Sequence, residues 1–176
     1  NKLRYEYDKW QRITEIWTSY DTGTTPAVSY EYNTPNKDSD GKHELWYAVT
    51  NNKVTFDADD YSIIQTVLQI DGLGRPVRTA KTGFVNGVDG WNVSGAVEYD
   101  EKGRTVKEGM TEFIQGDIQT LLESVPKMTE LYTSYEYDEK DRQVKTTLTD
   151  GSAQTNAFYI EENKLISKTT DPLGNV

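Results

Sequence analysis

The sequence predicts a mainly β fold, built from repeated antiparallel β-hairpins with one short inserted helix. One short unit recurs along the chain: an apolar or aromatic residue, then Asp, then Arg four positions after that Asp. Before the Asp, polar and apolar side chains alternate, which is strand periodicity. Tyr accounts for 12 of the 176 residues, and only 35% of residues are hydrophobic. This mix is typical of strands whose two faces are both partly solvated.

The unit occurs in four full copies and a shortened fifth copy. Gln11 and Asp141 stand where other copies have Gly, Ile70 replaces Tyr in the second copy, and the fifth ends in Asn175. The copies lie at 5–12, 69–75, 98–104, 135–142 and 169–175. The motif residues are Tyr7, Asp8, Arg12, Asp71, Gly72, Gly74, Arg75, Tyr99, Asp100, Gly103, Arg104, Tyr137, Asp138, Arg142, Asp171 and Gly174.

Each unit predicts a tight turn between two strands. The Asp carboxylate is suited to accept hydrogen bonds from backbone N–H groups two residues on, and Gly72, Gly74 and Gly103 are expected to supply positive φ. The Arg just past the turn is placed to pair with the Asp. An exposed pair contributes roughly 0–1 kcal/mol, so its predicted role is to fix hairpin register. The predicted hairpins lie around 5–20, 28–50, 67–81, 96–109 and 133–149, with a truncated one from 166.

Three stretches depart from the regular pattern. In the hairpin at 28–50, Asn33 replaces Asp and the turn is lengthened. Residues 81–95 hold four glycines and predict a polar connection. Residues 117–125 have apolar side chains at helical spacing, with Asp117 as a candidate N-cap and Pro126 ending the element. We expect this helix to cover an edge or an exposed apolar surface.

The motif resembles the tyrosine-aspartate (YD) repeat of the Rhs family, which also occurs in insecticidal toxin complexes and in teneurins. Two sequence motifs are characteristic of that repeat: Asp-Gly-Leu-Gly-Arg-Pro at 71–76 and Asp-Pro-Leu-Gly-Asn at 171–175. The resemblance extends over essentially the whole chain. It implies a curved antiparallel sheet of hairpins that forms part of a β-cage. The family's self-cleavage motif matches no residues of this chain.

The resemblance implies a non-catalytic shell segment that encloses or presents a C-terminal toxin or effector domain. Its partners would be that cargo domain or other repeats of the parent protein, and its location secreted or on a bacterial cell surface. Because the chain starts at Asn1 inside a repeat, we expect 1–176 to be one repeat segment of a longer polypeptide.

A cell-surface adhesin or carbohydrate-binding module is the alternative, with cell-surface glycans as ligands. It would use exposed aromatic rings, which stack on sugars. Rows of aromatic residues on neighbouring strands are more simply cross-strand pairs, which is the interpretation we favour. The candidate rings are Trp10, Trp17, Trp46 and Trp91.

Composition argues against several other functions. The net charge of −10 disfavours nucleic acid and anionic membranes as partners, and no apolar run approaches the about 20 residues of a membrane span. The chain has no Cys and a single histidine, His43. An enzyme would need a cleft with carboxylates clustered around His43. No nucleophile or phosphate-binding motif accompanies it, so we predict no catalytic residue and no cofactor.

One loop has the opening spacing of a Ca²⁺ site. Asn36, Asp38 and Asp40 alternate ahead of a glycine, as oxygen ligands do in such loops. Tyr47 stands where the bidentate Glu belongs, however, and no helices are predicted on either side. We therefore favour a polar hairpin tip and predict no metal site. If Ca²⁺ did bind this chain, these three residues would be the candidate ligands.

Overall fold

The computed structural model describes residues 2–21, 25–33, 45–54, 63–124 and 126–176. Within these ranges the chain is mainly β, with antiparallel sheets and one short helix, α1 (Ile118–Glu123), which confirms the predicted fold class. The strands are β1 (Arg4–Tyr7), β2 (Ile13–Trp17), β3 (Val28–Asn33), β4 (Trp46–Lys53), β5 (Ile63–Ile70), β6 (Pro76–Val85), β7 (Val88–Val93), β8 (Val97–Tyr99), β9 (Thr105–Gly109), β10 (Glu112–Gln115), β11 (Tyr132–Tyr137), β12 (Gln143–Thr147), β13 (Ala153–Glu161) and β14 (Lys164–Thr170).

The chain divides into two compact units. Unit 1 comprises Asn1–Val93 and Glu112–Val125, and unit 2 comprises Ser94–Thr111 and Pro126–Val176. Unit 1 holds a sheet in the order β1-β2-β3-β4-β5-β6-β7-β10, and unit 2 holds a sheet in the order β8-β9-β11-β12-β13-β14. The hairpin β8–β9 thus interrupts unit 1 in sequence, which accounts for part of the irregular spacing between motif copies.

Each full motif copy joins two adjacent antiparallel strands. The hairpins that contain these copies are β1–β2, β5–β6, β8–β9 and β11–β12. The pair β3–β4 forms the hairpin of the copy with Asn33. The strands β13 and β14 pair over seven positions, from Thr155 with Thr170 to Glu161 with Lys164.

The predicted polar connection at 81–95 is wrong, because β6 and β7 form a hairpin there. Asn86 and Gly87 make its two-residue turn with φ of 51° and 83°. Asn-Gly is a strong hairpin signal because this turn needs positive φ at both positions. Gly83 and Gly90 are opposite each other in the ladder. The Asn92 side chain occupies the space of a Cβ at Gly83, and the Ile114 carbonyl oxygen and the Phe113 ring occupy it at Gly90. These glycines therefore allow close packing within strands.

The core of unit 1 lies between α1 and one face of the sheet, which we call the helix-side face. The predicted helix is found, and Asp117 is its N-cap, accepting a hydrogen bond of 2.9 Å from the Thr120 N–H. Leu121 is fully buried. The helix thus covers apolar surface in the middle of the sheet. The buried core residues are Val49, Val67, Ala80, Trp91, Val93 and Leu121.

A buried arginine joins the C-terminal end of α1 to the sheet. Arg78 Nη2 donates hydrogen bonds to the carbonyl oxygens of Leu121 (2.7 Å) and Ser124 (2.6 Å). Arg78 Nε donates to Oε1 of Gln69, its cross-strand neighbour. The carbonyls at a helix C-terminus lack partners within the helix and carry partial negative charge, so a cation is favoured there. Burial lowers the pKa of Arg78, and the charge of Glu112 opposes that effect.

Replacing Leu121 by Ala should destabilise unit 1 by about 2–5 kcal/mol, because it leaves a cavity under the helix. Urea unfolding followed by circular dichroism measures the free energy of unfolding. The matched control is Leu165→Ala, since Leu165 is 71% exposed; its effect should stay within about 0.5 kcal/mol. Equal effects of the two changes would contradict a core beneath α1.

Candidate functional site

The recurring feature of the structure is one turn geometry, shown by the copy at Asp138. The Asp138 N–H donates to the Arg142 carbonyl (2.9 Å), and the Asp141 N–H donates to the Asp138 carbonyl (3.1 Å). Asp138 Oδ1 accepts the N–H groups of Lys140 (2.9 Å) and Arg142 (3.0 Å). Asp138 Oδ2 accepts Arg142 Nε at 2.7 Å. The carboxylate therefore binds the backbone with one oxygen and the Arg side chain with the other.

The other copies repeat this geometry closely. The Arg Nε to Asp Oδ2 distance is 2.7 Å in each full copy, and in the fifth copy Asn175 Nδ2 donates to Asp171 Oδ2 at 2.8 Å. A shift in strand register falls just before the Asp in each full copy. The residue at positive φ lies within the tight turn, and the extra residue of the register shift forms a bulge farther along the second strand. The residue pairs are Asp8 with Arg12, Asp71 with Arg75, Asp100 with Arg104, and Asp138 with Arg142.

The third residue after each Asp has positive φ. Where this residue is not Gly, the left-handed conformation is still adopted, with φ of 64° at Gln11 and 61° at Asp141. The expectation of positive φ at Gly72 is wrong, since only Gly74 adopts it in that copy. Positive φ occurs at the third residue after the Asp, and Gly72 is the first residue after it. The glycines at positive φ in these turns are Gly74, Gly103 and Gly174.

The turns hold their carboxylates in the ionised form. Hydrogen bonds from Arg142 lower the pKa of Asp138, and the backbone hydrogen bond from Arg104 is the largest cause of the lowered pKa of Asp100. For Asp8, desolvation raises the pKa, but the hydrogen bonds of Arg12 and Trp10 outweigh it and the pKa is lowered. Each carboxylate is thus bound as an anion.

Each of three motif arginines also lies over an aromatic ring of the following hairpin. A guanidinium over a ring face is attracted by the ring quadrupole, and its planar shape stacks well. We call the Asp, the Arg and this ring the Asp–Arg–aromatic clamp. The Arg Cζ to ring-centroid distances are 4.3 Å for Arg12 and Tyr32, 4.6 Å for Arg104 and Tyr137, and 4.4 Å for Arg142 and Phe158.

Two of these rings make a second contact with the preceding hairpin. Tyr32 Oη donates to the carbonyl of Ile13 at 2.9 Å, and Tyr137 Oη donates to the carbonyl of Thr105 at 2.8 Å. In both cases the acceptor is the residue directly after the clamp arginine. The Tyr that precedes Asp or Asn thus makes two contacts with the preceding copy: its ring packs against the Arg side chain, and its hydroxyl donates to a backbone carbonyl. Sequence reasoning missed this role, although the fixed position of Tyr was its signal.

The remaining motif tyrosines lie on strands that end their sheets. Tyr7 is on β1 and is 57% exposed, and Tyr99 is on β8. Rings that were interpreted as cross-strand pairs have more varied contacts: Tyr30 and Tyr32 stack along one strand, with centroids 6.4 Å apart. The position of a copy in its sheet therefore decides what its Tyr contacts.

An ion pair also connects two neighbouring turns of unit 2. Asp141 Oδ1 accepts Lys102 Nζ at 2.8 Å and Arg104 Nη1 at 2.5 Å. The hydrogen bond from Lys102 is the largest cause of the lowered pKa of Asp141, and the hydrogen bond to Asp100 is the largest cause of the raised pKa of Arg104. Arg104 thereby contacts its own turn, the next turn and the next aromatic ring.

The four tryptophans have different environments. Trp91 is buried in the core of unit 1, with 2% exposure. An arginine guanidinium lies over the rings of Trp10 and Trp17, at 4.8 Å and 4.6 Å from their centroids. Trp46 is 45% exposed on β4. This distribution favours packing and cation–aromatic contacts over a shared platform for sugar rings.

The calcium candidates Asn36, Asp38 and Asp40, and also His43, lie outside the described residues. Within the described part of the chain, no group of three or more His, Asp or Glu side chains is arranged to hold a metal ion. No helix in that part is long and apolar enough to cross a membrane.

The sequence matches no known family profile and no curated protein, but solved structures match the fold. The crystal structure of TcdB2-TccC3-Cdc42 matches 99% of this chain and 14% of that chain, with a TM-score of 0.67 at 12% identity. This chain has the fold of a segment of that protein. The predicted resemblance is confirmed at the level of the fold.

Two further structures give the same result. The Photorhabdus luminescens Tc holotoxin pore, carrying a TccC3 mutation, matches with a TM-score of 0.54 at 15% identity over 76% of this chain and 8% of that chain. The crystal structure of TcdB2-TccC3-TEV matches with a TM-score of 0.53 at 16% identity over 78% of this chain and 8% of that chain. The chain thus spans 8% to 14% of the length of these three matched chains.

Lowering the pH should remove the contribution of the Asp turns to stability. Because the pKa of Asp138 is below its ordinary value of 3.8 in the folded chain, the contribution is complete above the unfolded pKa and is lost as pH falls through the folded pKa. Asp138→Asn should therefore lower the thermal midpoint at pH 7, and its difference from the wild type should shrink toward pH 2. Differential scanning calorimetry between pH 7 and pH 2 measures this.

Glu139→Gln is the control for that experiment, since it removes one carboxylate from the same turn outside the Asp–Arg pair. Its midpoint should follow the wild type at every pH. A pH profile of Asp138→Asn parallel to that of the wild type would show that the clamp carboxylate does not stabilise the fold.

Asp141→Asn should weaken the connection between the two turns of unit 2, because it removes the charge while keeping a residue that tolerates positive φ. The variant should melt at a lower temperature than the wild type in low salt. The difference should vanish at about 1 M NaCl, where exposed charges are screened. A salt-independent difference would assign the loss to turn conformation instead of the ion pair.

Proposed function

We propose that this chain is a non-catalytic structural segment of an Rhs-like shell, which encloses or presents a C-terminal toxin or effector domain. The observation that carries the proposal is the repetition of the Asp–Arg turn in hairpins of both units. An active site is normally built once, whereas the wall of a shell can use the same turn in many hairpins. The structural likeness to toxin-complex proteins supports the same function.

The clamp supports a wall because it connects hairpins as well as closing them. Arg104 is held by Asp100 within its own turn and lies over Tyr137 of the next hairpin. The hydroxyl of Tyr137 then binds the backbone beside Arg104. Such contacts between neighbours let many short hairpins behave as one continuous sheet, as nearest-neighbour contacts do in other repeat proteins.

The proposed mechanism is sequestration, in which one side of the wall faces the cargo and the other faces solvent. The partners of this segment are then the C-terminal cargo domain and further repeats of the same polypeptide, and its location is outside the producing cell or on its surface. The fraction of the matched chains that this chain spans, 8% to 14%, is consistent with one segment of a large shell.

The test uses the longer polypeptide that carries this segment. If the repeats form a shell, proteinase K should degrade the C-terminal domain much more slowly within the full polypeptide than when it is produced alone. The double variant Asp100→Ala/Asp138→Ala should shorten that protection, because it opens two clamps. Gel electrophoresis and mass spectrometry of timed digests measure the protection.

Glu101→Ala/Glu139→Ala is the matched control, with the same number of charges removed from the same two turns, and it should keep full protection. Equal protease sensitivity of the enclosed and the isolated C-terminal domain would reject the shell. Binding of this chain to a glycan array, lost in Trp46→Ala, would favour the carbohydrate-binding module instead.

A further inference from the structure

The hairpin between β6 and β7 turns at Asn86-Gly87, which is the only Asn-Gly sequence in the chain. Both residues are exposed, and both have positive φ. Val85 and Val88 are the last residues that pair in this hairpin. The two turn residues therefore lie at the tip, outside the ladder, where water reaches them.

The backbone nitrogen of Gly87 is accessible to the side chain that precedes it. None of the residues that the structure describes accepts a hydrogen bond from the Gly87 N–H. A Cβ placed on Gly87 would meet no atom within 4 Å, so the space around this residue is open. Glycine has no side chain of its own to obstruct the Asn86 amide. A nucleophile and an electrophilic carbon held this close in one chain react without the entropy cost of a bimolecular encounter.

We infer that Asn86 is a site of spontaneous covalent modification, by deamidation through a cyclic imide. The Gly87 nitrogen forms a bond to Asn86 Cγ, and the Cγ–Nδ2 bond breaks. The proton lost from the Gly87 nitrogen leaves with Nδ2 as ammonia. Water then opens the ring at one of its two carbonyl carbons, so the reaction consumes one water and releases one ammonia. Water is the only co-reactant.

The two ways of opening the ring give different products. Attack of water at the side-chain carbonyl gives aspartate, and attack at the main-chain carbonyl gives isoaspartate, in which the chain runs through the former side chain. Asp-Gly favours the same two-residue turn as Asn-Gly, so the first product keeps the pairing of Val85 with Val88. Isoaspartate adds one methylene to the backbone of a turn that has only two residues. It should therefore loosen this hairpin, whose register places Trp91 and Val93 in the core beneath α1.

A second hairpin with the same kind of turn provides an internal control. Glu162 and Asn163 connect β13 and β14, are exposed, and have φ of 48° and 63°. The residue after Asn163 is Lys164, so the attacking nitrogen belongs to a residue with a side chain. That side chain hinders closure of the imide ring. Asn163 should therefore deamidate more slowly than Asn86 in the same sample.

Ageing of the folded chain at mildly alkaline pH tests the assignment, because backbone amides lose a proton more readily there. Trypsin releases Asn86 in the peptide 82–102 and Asn163 in the peptide 146–164. Mass spectrometry follows the mass increase that accompanies exchange of an amide for a carboxylate. Isomerisation of an Asp leaves the mass unchanged, so Asp89-Gly90 in the first peptide does not contribute. Electron-transfer fragmentation locates the change and distinguishes isoaspartate from aspartate.

Asn86 should convert at least about tenfold faster than Asn163, a ratio that needs only a small difference in activation barrier. Isoaspartate should be found among the products at position 86. Equal rates at the two asparagines would overturn the inference, because the open space at Gly87 would then have no effect.

The same chain unfolded in urea separates the effect of the fold from that of the local sequence. Any unfolded Asn-Gly can react, so the rate in the folded chain decides whether the hairpin leaves the reaction open. Asn86 in the folded chain should convert at a rate within about tenfold of the rate in urea. Conversion in urea with none in the folded chain would overturn the inference, because the turn geometry would then protect Asn86.

Asn86→Gly is the matched variant, since Gly-Gly also favours this turn and has no side-chain amide. Ion-exchange chromatography isolates the aged wild-type forms by their added negative charge, and circular dichroism measures their thermal midpoints. The isoaspartyl form should melt at a lower temperature than the fresh chain, whereas aged Asn86→Gly should keep its midpoint. An equal fall in the aged variant would overturn the link between Asn86 and the loosened hairpin.

Discussion

The bond between an Asp carboxylate and an Arg Nε at 2.7 Å is the constraint on which the four hairpins with a full motif copy depend. The Asp would close a turn without the Arg, because its other oxygen binds two backbone N–H groups. The pair adds a fixed position for the guanidinium. In three of the four copies the neighbouring hairpin places a ring against that plane, at Tyr32, Tyr137 and Phe158.

This arrangement explains why Arg is used instead of Lys. A guanidinium has a planar fork that binds a carboxylate along one edge while its face remains available for stacking, whereas an ammonium is a point charge. Arg104 uses the fork for Asp100 and Asp141 and the face for Tyr137. Each such contact is partly exposed and individually weak. Their effect comes from repetition, because every clamp limits the freedom of the next hairpin.

Local features of the fold were predictable from the sequence, and contacts between distant residues were not. The motif turns and the N-cap at Asp117 follow from residues within a few positions of each other. The contact of Arg78 with the end of α1 joins residues 43 positions apart, and no local pattern distinguishes this Arg from a solvent-facing strand residue. The hairpin at Asn86-Gly87 was missed for another reason: glycines that serve packing inside β6 and β7 resemble a loop in composition.

The two faces of the eight-stranded sheet show how one repeat pattern serves two surfaces. Alternation within each strand separates side chains into two sets, and register carries each set across the sheet. On the helix-side face this places carboxylates, the buried Arg78 and the apolar residues under α1 together. On the other face it collects rings and aliphatic side chains. A one-residue slip of register would mix the sets, so the bulge and the Asp–Arg pair that fix register at each turn also maintain the chemical difference between the faces.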